Sequence, residues 1–185
     1  MNYSIPEFAL LGFLTFIFVG LITPVMRKVA IRYNAVDAPN LERKSQKEPI
    51  PYLGGVAIAI GVVAASYGSM LAVNFSWETI RLASTVLFPA IAISAMGLWD
   101  DLRGLQPWPR LIAQTVTGIG VSSILIATDT SGVAFPNTFL NYLITTIWIV
   151  GVCNSINFFD NHDGGAAGTV AVITFFLFFI AYDRQ

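Results

Sequence analysis

The residues best suited to chemistry lie in one short segment, residues 154–165, where amides and carboxylates stand between two strongly apolar runs. Its spacing is Asn154-x-x-Asn157-x-x-Asp160-x-x-Asp163-Gly164. Residues three and four apart share one face of a helix, so the amides align wherever the backbone is helical. One Asp at the centre of a bilayer costs roughly 2.5–3.5 kcal/mol even on a lenient insertion scale. We therefore expect this segment to lie at the water boundary or to line a polar cavity, where ionisable groups are functional candidates.

Two other segments carry groups that could work with these. Asp100 and Asp101 come directly after Trp99 at the end of an apolar run, and Lys47 precedes a segment with two prolines and two glycines. Paired carboxylates hold Mg²⁺, a hard cation that shares its oxygen ligands with substrate phosphates. Carboxylates also orient, deprotonate or directly attack in phosphoryl transfer. Lys47 would contact a phosphate or uracil-type oxygen, so the three segments together predict a site for a metal-bound phosphate ligand.

The elements that position these segments are membrane spans. Hydrophobic residues make up 55% of the 185-residue chain and charged residues 11%, which is typical of an integral membrane protein. A helix needs about 17–25 residues to cross a bilayer, and the fifth apolar run reaches that length only with its flanking residues. We predict an all-α polytopic helix bundle with about six spans, over residues 8–26, 53–73, 82–99, 111–127, 139–153 and 166–182.

The distribution of basic residues orients these spans. Eight of the ten Lys and Arg residues fall in the first and third loops between spans. The positive-inside rule then places the first, third and fifth loops in the cytoplasm and the N-terminus outside. We expect a multi-pass protein of the cytoplasmic (inner) membrane in which the acid and amide clusters and Lys47 all face the cytoplasm.

Each segment also has an ordinary structural interpretation. An Asp pair before Leu-Arg-Gly is typical of a solvated turn, and a loop rich in Asn, Asp and Gly is typical of a turn and an N-cap. A cationic first loop is first of all a topology signal. His162 is the single histidine, which argues against a histidine-based metal site. The functional interpretation is favoured because all three segments fall on one membrane face.

Three blocks of this sequence, in order, resemble the polyprenyl-phosphate N-acetylhexosamine-1-phosphate transferases (glycosyltransferase family 4). Each block is a weak pattern alone, and their order and the spans between them make the resemblance specific over nearly the whole chain. The blocks are Asp37-Ala-Pro39-Asn40 through Arg43-Lys44 to Pro49-Ile-Pro51-Tyr-Leu-Gly54-Gly55, then Gly97-Leu-Trp-Asp100-Asp101 with Leu111 and Gln114 beyond, and then the segment from Asn154 to Gly164.

The resemblance implies a reaction at the cytoplasmic membrane face that initiates cell-envelope glycan synthesis. A UDP-N-acetylhexosamine would donate its sugar-1-phosphate to a polyprenyl phosphate such as undecaprenyl phosphate and release UMP, with Mg²⁺, or alternatively Mn²⁺, as cofactor. Direct transfer and transfer through an aspartyl intermediate both fit, several donor sugars and glycan pathways fit, and a homodimer is left open; no nucleic-acid partner is expected. The resemblance implies catalytic and metal-binding roles for Asp100, Asp101 and Asp160, and substrate-binding roles for Lys47, Asn154, Asn157 and Asp163.

The chain departs from the family pattern in its motifs and in its length. Gln46 stands where many members have His, and Asn161-His162 replaces a commoner Gly-hydrophobic pair. Members have about ten or eleven spans, each of about 20 residues. We therefore expect this single transmembrane transferase domain to be the N-terminal portion of a longer enzyme and to be inactive alone.

Two non-enzymatic interpretations compete with this one. The first is a small transporter or channel whose polar loops form an ion entrance, and the second is a structural membrane module that retains the motifs without activity. The charged residues lie in loops, and no span carries the chain of ionisable groups that ion passage requires. A transferase is the better interpretation of the sequence.

Overall fold

A computed structural model describes residues 4–37, 49–73, 76–128, 135–160 and 164–183. Lys47 and Asp163 lie outside these ranges. Every helix in the described chain is long and apolar enough to cross a membrane, which confirms the predicted all-α, multi-pass membrane architecture. The helices are α1 (Ile5–Arg32), α2 (Gly54–Val73), α3 (Trp77–Arg103), α4 (Pro107–Ala127), α5 (Thr138–Phe159) and α6 (Gly165–Asp183).

The helices run further than the apolar runs that predicted them. The 27 residues of α3 extend about 40 Å, whereas the hydrocarbon core of a bilayer is about 30 Å thick. Hydropathy marks the part of a helix that lies in hydrocarbon, but backbone hydrogen bonding continues into the headgroup region. The prediction that the third loop opens at Asp100 and Asp101 is therefore wrong, since both residues belong to α3. Likewise Asn154 and Asn157 belong to α5 rather than to a loop.

The described chain divides into two compact units. One runs from Tyr3 to Arg110 and contains α1, α2, α3 and the first residues of α4. In this unit α1 packs on α2 and α2 packs on α3. Gly61 of α2 is buried against the side chain of Val19, and a Cβ at this position would collide with it. The other unit begins at Leu111, and in it α5 packs on α6.

A two-stranded antiparallel ribbon connects α1 to α2 in the first unit. Strand β1 (Val36–Asp37) pairs with strand β2 (Ile50–Pro51), with Val36 opposite Pro51. The proline-rich segment predicts an extended backbone, and β2 confirms it. Asn34 has a φ of 54°, a left-handed conformation that Asn tolerates, and it reverses the chain after α1. The ribbon thereby places Tyr52, the residue after β2, beside Asp37.

Candidate active site

The carboxylate of Asp100 forms hydrogen bonds that link the end of α3 to the beginning of α4. Its Oδ1 accepts a hydrogen bond from the backbone N–H of Leu105 at 2.9 Å, and its Oδ2 accepts one from Nη1 of Arg110 at 2.7 Å. Gly104 ends α3 with a φ of 63°, and its N–H donates to the carbonyl of Asp100 at 2.7 Å. Only Gly adopts this conformation without steric cost. The carboxylate of Asp100 therefore has a structural role in the turn, beside any role in chemistry.

Asp101 lies at one end of a cavity between α2 and α3, within the same unit. The cavity has a volume of about 670 Å³ and its walls are largely apolar. Along α2 it runs from Gly55 to Ala64, which is about 14 Å at 1.5 Å per residue. Small side chains on both helices keep it open. The residues that line it are Tyr52, Gly55, Val56, Ala59, Ile60, Val63 and Ala64, with Ile91, Ser94, Ala95, Gly97, Leu98 and Asp101 from α3.

Tyr52 joins the acidic end of this cavity to the β ribbon. Its hydroxyl donates a hydrogen bond to Oδ1 of Asp37 at 3.1 Å. Burial raises the pKa of Tyr52, and the hydrogen bond to Asp37 and the negative charges of Asp37 and Asp101 raise it further, because each disfavours the tyrosinate. Tyr52 is thus a neutral hydrogen-bond donor at ordinary pH rather than a base. Sequence reasoning assigned it no role, although it stands inside the first motif block.

In the second unit, three of the predicted site residues lie in the last two turns of α5 and at its C-cap. Asn154 is half-buried, and its Nδ2 donates to Oε1 of Gln114 on α4 at 2.7 Å and to the carbonyl oxygen of Val150 at 2.8 Å. Asn157 lies about one turn further along and is exposed, as is Asp160, which caps the helix. The helical alignment predicted from the spacing of the two amides is confirmed.

The structure brings some of the predicted residues together and leaves others as predictions. Asp101 lies with Tyr52 at one end of the α2–α3 cavity, and Asn154, Asn157 and Asp160 follow one another along α5. Their joint action in one site stays a prediction, as do the roles of the two predicted residues beyond the described ranges.

The fit of a divalent metal can be judged on the carboxylates. Within the described ranges no three His, Cys, Asp or Glu side chains gather closely enough to form a metal cluster by themselves. Mg²⁺ is commonly held by one or two carboxylates, with water and substrate phosphates supplying the remaining oxygens. The acidic end of the cavity, at Asp101, fits this second arrangement. The metal itself stays a prediction.

These features define a polytopic α-helical membrane protein with carboxylates and amides near the ends of its helices and, in the first unit, an apolar cavity that ends at Asp101. The sequence model described as glycosyl transferase family 4 matches residues 82–185. The chain belongs to this family, and the resemblance expected from the three motif blocks is confirmed.

Curated relatives agree with this assignment. The chain is 36% identical over 157 residues to a probable undecaprenyl-phosphate N-acetylglucosaminyl 1-phosphate transferase of Bacillus subtilis, covering 80% of this chain and 41% of the relative. It is 30% identical over 174 residues to a decaprenyl-phosphate N-acetylglucosaminephosphotransferase of Mycolicibacterium smegmatis, covering 88% of this chain and 42% of that protein. The chain thus spans about two-fifths of the length of these relatives.

A more distant match is the phospho-N-acetylmuramoyl-pentapeptide-transferase of Limosilactobacillus reuteri, at 26% identity over 153 residues, covering 74% of this chain and 44% of the relative. No solved structure gives a significant match. The transporter interpretation finds no support in these comparisons.

Proposed function

We propose that the protein transfers N-acetylhexosamine 1-phosphate from a UDP-N-acetylhexosamine to a polyprenyl phosphate at the cytoplasmic face of the inner membrane. The observation that carries the proposal is the apolar cavity between two membrane-spanning helices, with Asp101 and Tyr52 at one end. Two of the relatives are named for N-acetylglucosamine phosphate transfer to undecaprenyl or decaprenyl phosphate, which supports the substrate pair.

A polyprenyl phosphate combines a long apolar chain with an anionic head, and the cavity matches both parts. The branched hydrocarbon of its first isoprene units would lie against the small residues Gly55, Ala59 and Ala95. Because this hydrocarbon moves from lipid rather than from water, van der Waals packing against the cavity walls, and not the hydrophobic effect, would stabilise it there. The phosphate would then lie at the end marked by Tyr52 and Asp101, level with the membrane surface.

The transfer itself is a displacement at phosphorus. An oxygen of the polyprenyl phosphate forms a bond to the β-phosphorus of the nucleotide sugar, the bond from that phosphorus to the bridging oxygen breaks, and UMP leaves with the bridging oxygen. Asp101 would orient the attacking phosphate and, when that phosphate carries a proton, accept the proton from it. Tyr52 would donate a hydrogen bond beside it.

Two anionic substrates and several carboxylates repel one another in this reaction. A divalent cation, Mg²⁺ or Mn²⁺, held by Asp101 together with phosphate oxygens would offset that repulsion and stabilise charge on the transferring phosphate. Asp160 and Asn157 would hold the diphosphate and the nucleotide. Asn154, Asp163 and Lys47 would support them, and Asp100 would keep the helix end in place.

A transfer assay tests this proposal. Membranes containing the protein as its gene encodes it are supplied with labelled UDP-N-acetylglucosamine and undecaprenyl phosphate, with and without Mg²⁺. Labelled lipid should form only with the metal, and Asp101→Asn and Asp160→Asn should each lower the rate by about a hundredfold or more. Glu78→Gln is the matched control, because Glu78 is a carboxylate in the first turn of α3, at the opposite end from Asp101. Full rates in both Asn variants would exclude the assigned roles.

A further inference from the structure

Helix α4 carries a buried stripe that faces α5. Its members are Gln114, Gly118 and Ser122, spaced four residues apart so that they share one face. At Gly118 the helices are in close contact, since a Cβ there would lie 3.3 Å from Cγ2 of Thr146. A polar contact lies about one turn to either side of Gly118. Ser122 Oγ lies 3.2 Å from Thr146 Oγ1, and Gln114 Oε1 lies 2.7 Å from Nδ2 of Asn154.

The carbonyl of Val150 shows which atom of the Asn154 amide is the nitrogen. The carbonyl oxygen of Val150 lies 2.8 Å from Nδ2, and a carbonyl can only accept, so the atom facing it must be the amide nitrogen. With one hydrogen on Val150 and the other on Gln114, the nitrogen has used both of its donors. What Asn154 offers to a ligand is therefore its oxygen, an acceptor.

We infer that Gln114 is a positioning residue, which holds the amide of Asn154 so that its oxygen accepts a hydrogen bond from an N–H or O–H group of the nucleotide sugar. The inference rests on the proposed function. Gln114 is only 5% exposed, so water does not compete for its bond to Asn154, and a hydrogen bond in such surroundings is stronger than one in water. Without this acceptor the amide of Asn154 is held by its bond to Val150 alone, so it rotates away from the ligand more readily.

The test uses substitutions that separate the hydrogen bond from the shape of Gln114. Gln114→Met keeps an unbranched side chain of similar length but offers only a weak thioether acceptor, whereas Gln114→Glu keeps an acceptor oxygen in either protonation state. The protein as its gene encodes it is assayed in membranes for kcat and for KM of UDP-N-acetylglucosamine. Gln114→Met should lower kcat/KM by about tenfold, which corresponds to the net loss of one hydrogen bond in a buried site. Gln114→Glu should restore most of it.

Ser122→Ala is the matched control, because Ser122 belongs to the same buried stripe and also contacts α5 but does not touch Asn154. It should transfer at the normal rate. Asn154→Ala should lower kcat/KM as Gln114→Met does. The double variant should lose little more than either alone, since two residues that act through one contact are not additive.

Three results would overturn the inference. A normal rate in Gln114→Met, an equal loss in Ser122→Ala, or a fully additive double variant would each exclude positioning, while transfer by the unsubstituted protein would leave the proposed function standing. Absence of transfer by the unsubstituted protein would instead overturn the proposed function, and the inference with it. If Gln114→Met does not accumulate, Gln114→Asn, which withdraws the amide by one methylene, replaces it with the same expected loss.

Discussion

Replacing Asp100 with alanine should destabilise the protein through the turn between α3 and α4. The change removes a hydrogen bond from the N–H of Leu105, worth about 1 kcal/mol net. It also removes the ion pair with Arg110, whose side chain is 31% exposed against 16% for Asp100. A partly exposed pair contributes about 1 kcal/mol, the upper end of the surface range. The sum is about 2 kcal/mol, or about 4–8 °C in melting temperature for a chain of this size.

The measurement is thermal unfolding in detergent micelles, followed by tryptophan fluorescence. Asp101→Ala is the matched control, because Asp101 is the adjacent carboxylate and is exposed, and its shift should be clearly smaller. Arg110→Ala should lower the melting temperature, but the Asp100→Ala and Arg110→Ala losses should not add, since both remove the same bond. Equal shifts in Asp100→Ala and Asp101→Ala, or full additivity with Arg110→Ala, would refute the structural role of Asp100.

Three further predictions concern the cavity and the topology. Because the pKa of Tyr52 is raised in the folded protein, its neutral hydroxyl stabilises the fold fully below about pH 10, and this contribution is lost at higher pH. The melting temperature should therefore fall in alkali, and Tyr52→Phe should make that fall less steep. An equally steep fall in Tyr52→Phe would contradict the prediction. Ala95→Trp should fill the cavity and raise KM for polyprenyl phosphate but not for the nucleotide sugar; an unchanged lipid KM would exclude the cavity. In a Cys153→Ser background, Ser76→Cys reports on the loop predicted outside and Gln106→Cys on the loop predicted in the cytoplasm. An impermeant maleimide should label Ser76→Cys in intact cells and Gln106→Cys only after permeabilisation. The opposite pattern would show that the predicted topology is inverted.

The helices themselves were predictable from hydropathy, but their ends were not. Basic residues at the end of the first apolar run predicted a loop, yet α1 continues to Arg32, because a charge outside the hydrocarbon does not break a helix. At α5 a loop was predicted for a different reason, namely the cost of burying the carboxylates of the segment in a bilayer. Asp160 lies exposed at the end of the helix and the amide of Asn154 is hydrogen-bonded to Gln114, so the helix continues to Phe159. A contact between residues 40 positions apart cannot be deduced from local composition.

The candidate site was predictable to a similar degree. The motif order indicated Asp100, Asp101 and the amides of α5, but two neighbouring carboxylates have the same chemistry in a sequence. Only the structure distinguishes their roles: the turn at Gly104 brings Arg110 to Asp100, whereas Asp101 lies at the cavity. The role of Tyr52 likewise depends on the pairing of two short strands. Contacts of this kind, Asp100 with Arg110 and Tyr52 with Asp37, depend on tertiary packing and cannot be predicted from the local sequence pattern.

The position of Asp101 and Asn157 on helix ends has a consequence for the lipid around the protein. A transmembrane helix responds to a thinner or thicker bilayer by changing its tilt, and any group fixed to its end moves with it. Groups carried on a long loop would be insulated from that motion. Acyl-chain length and sterol-like thickening agents should therefore alter the height of these side chains above the hydrocarbon, and with it the geometry of the proposed site.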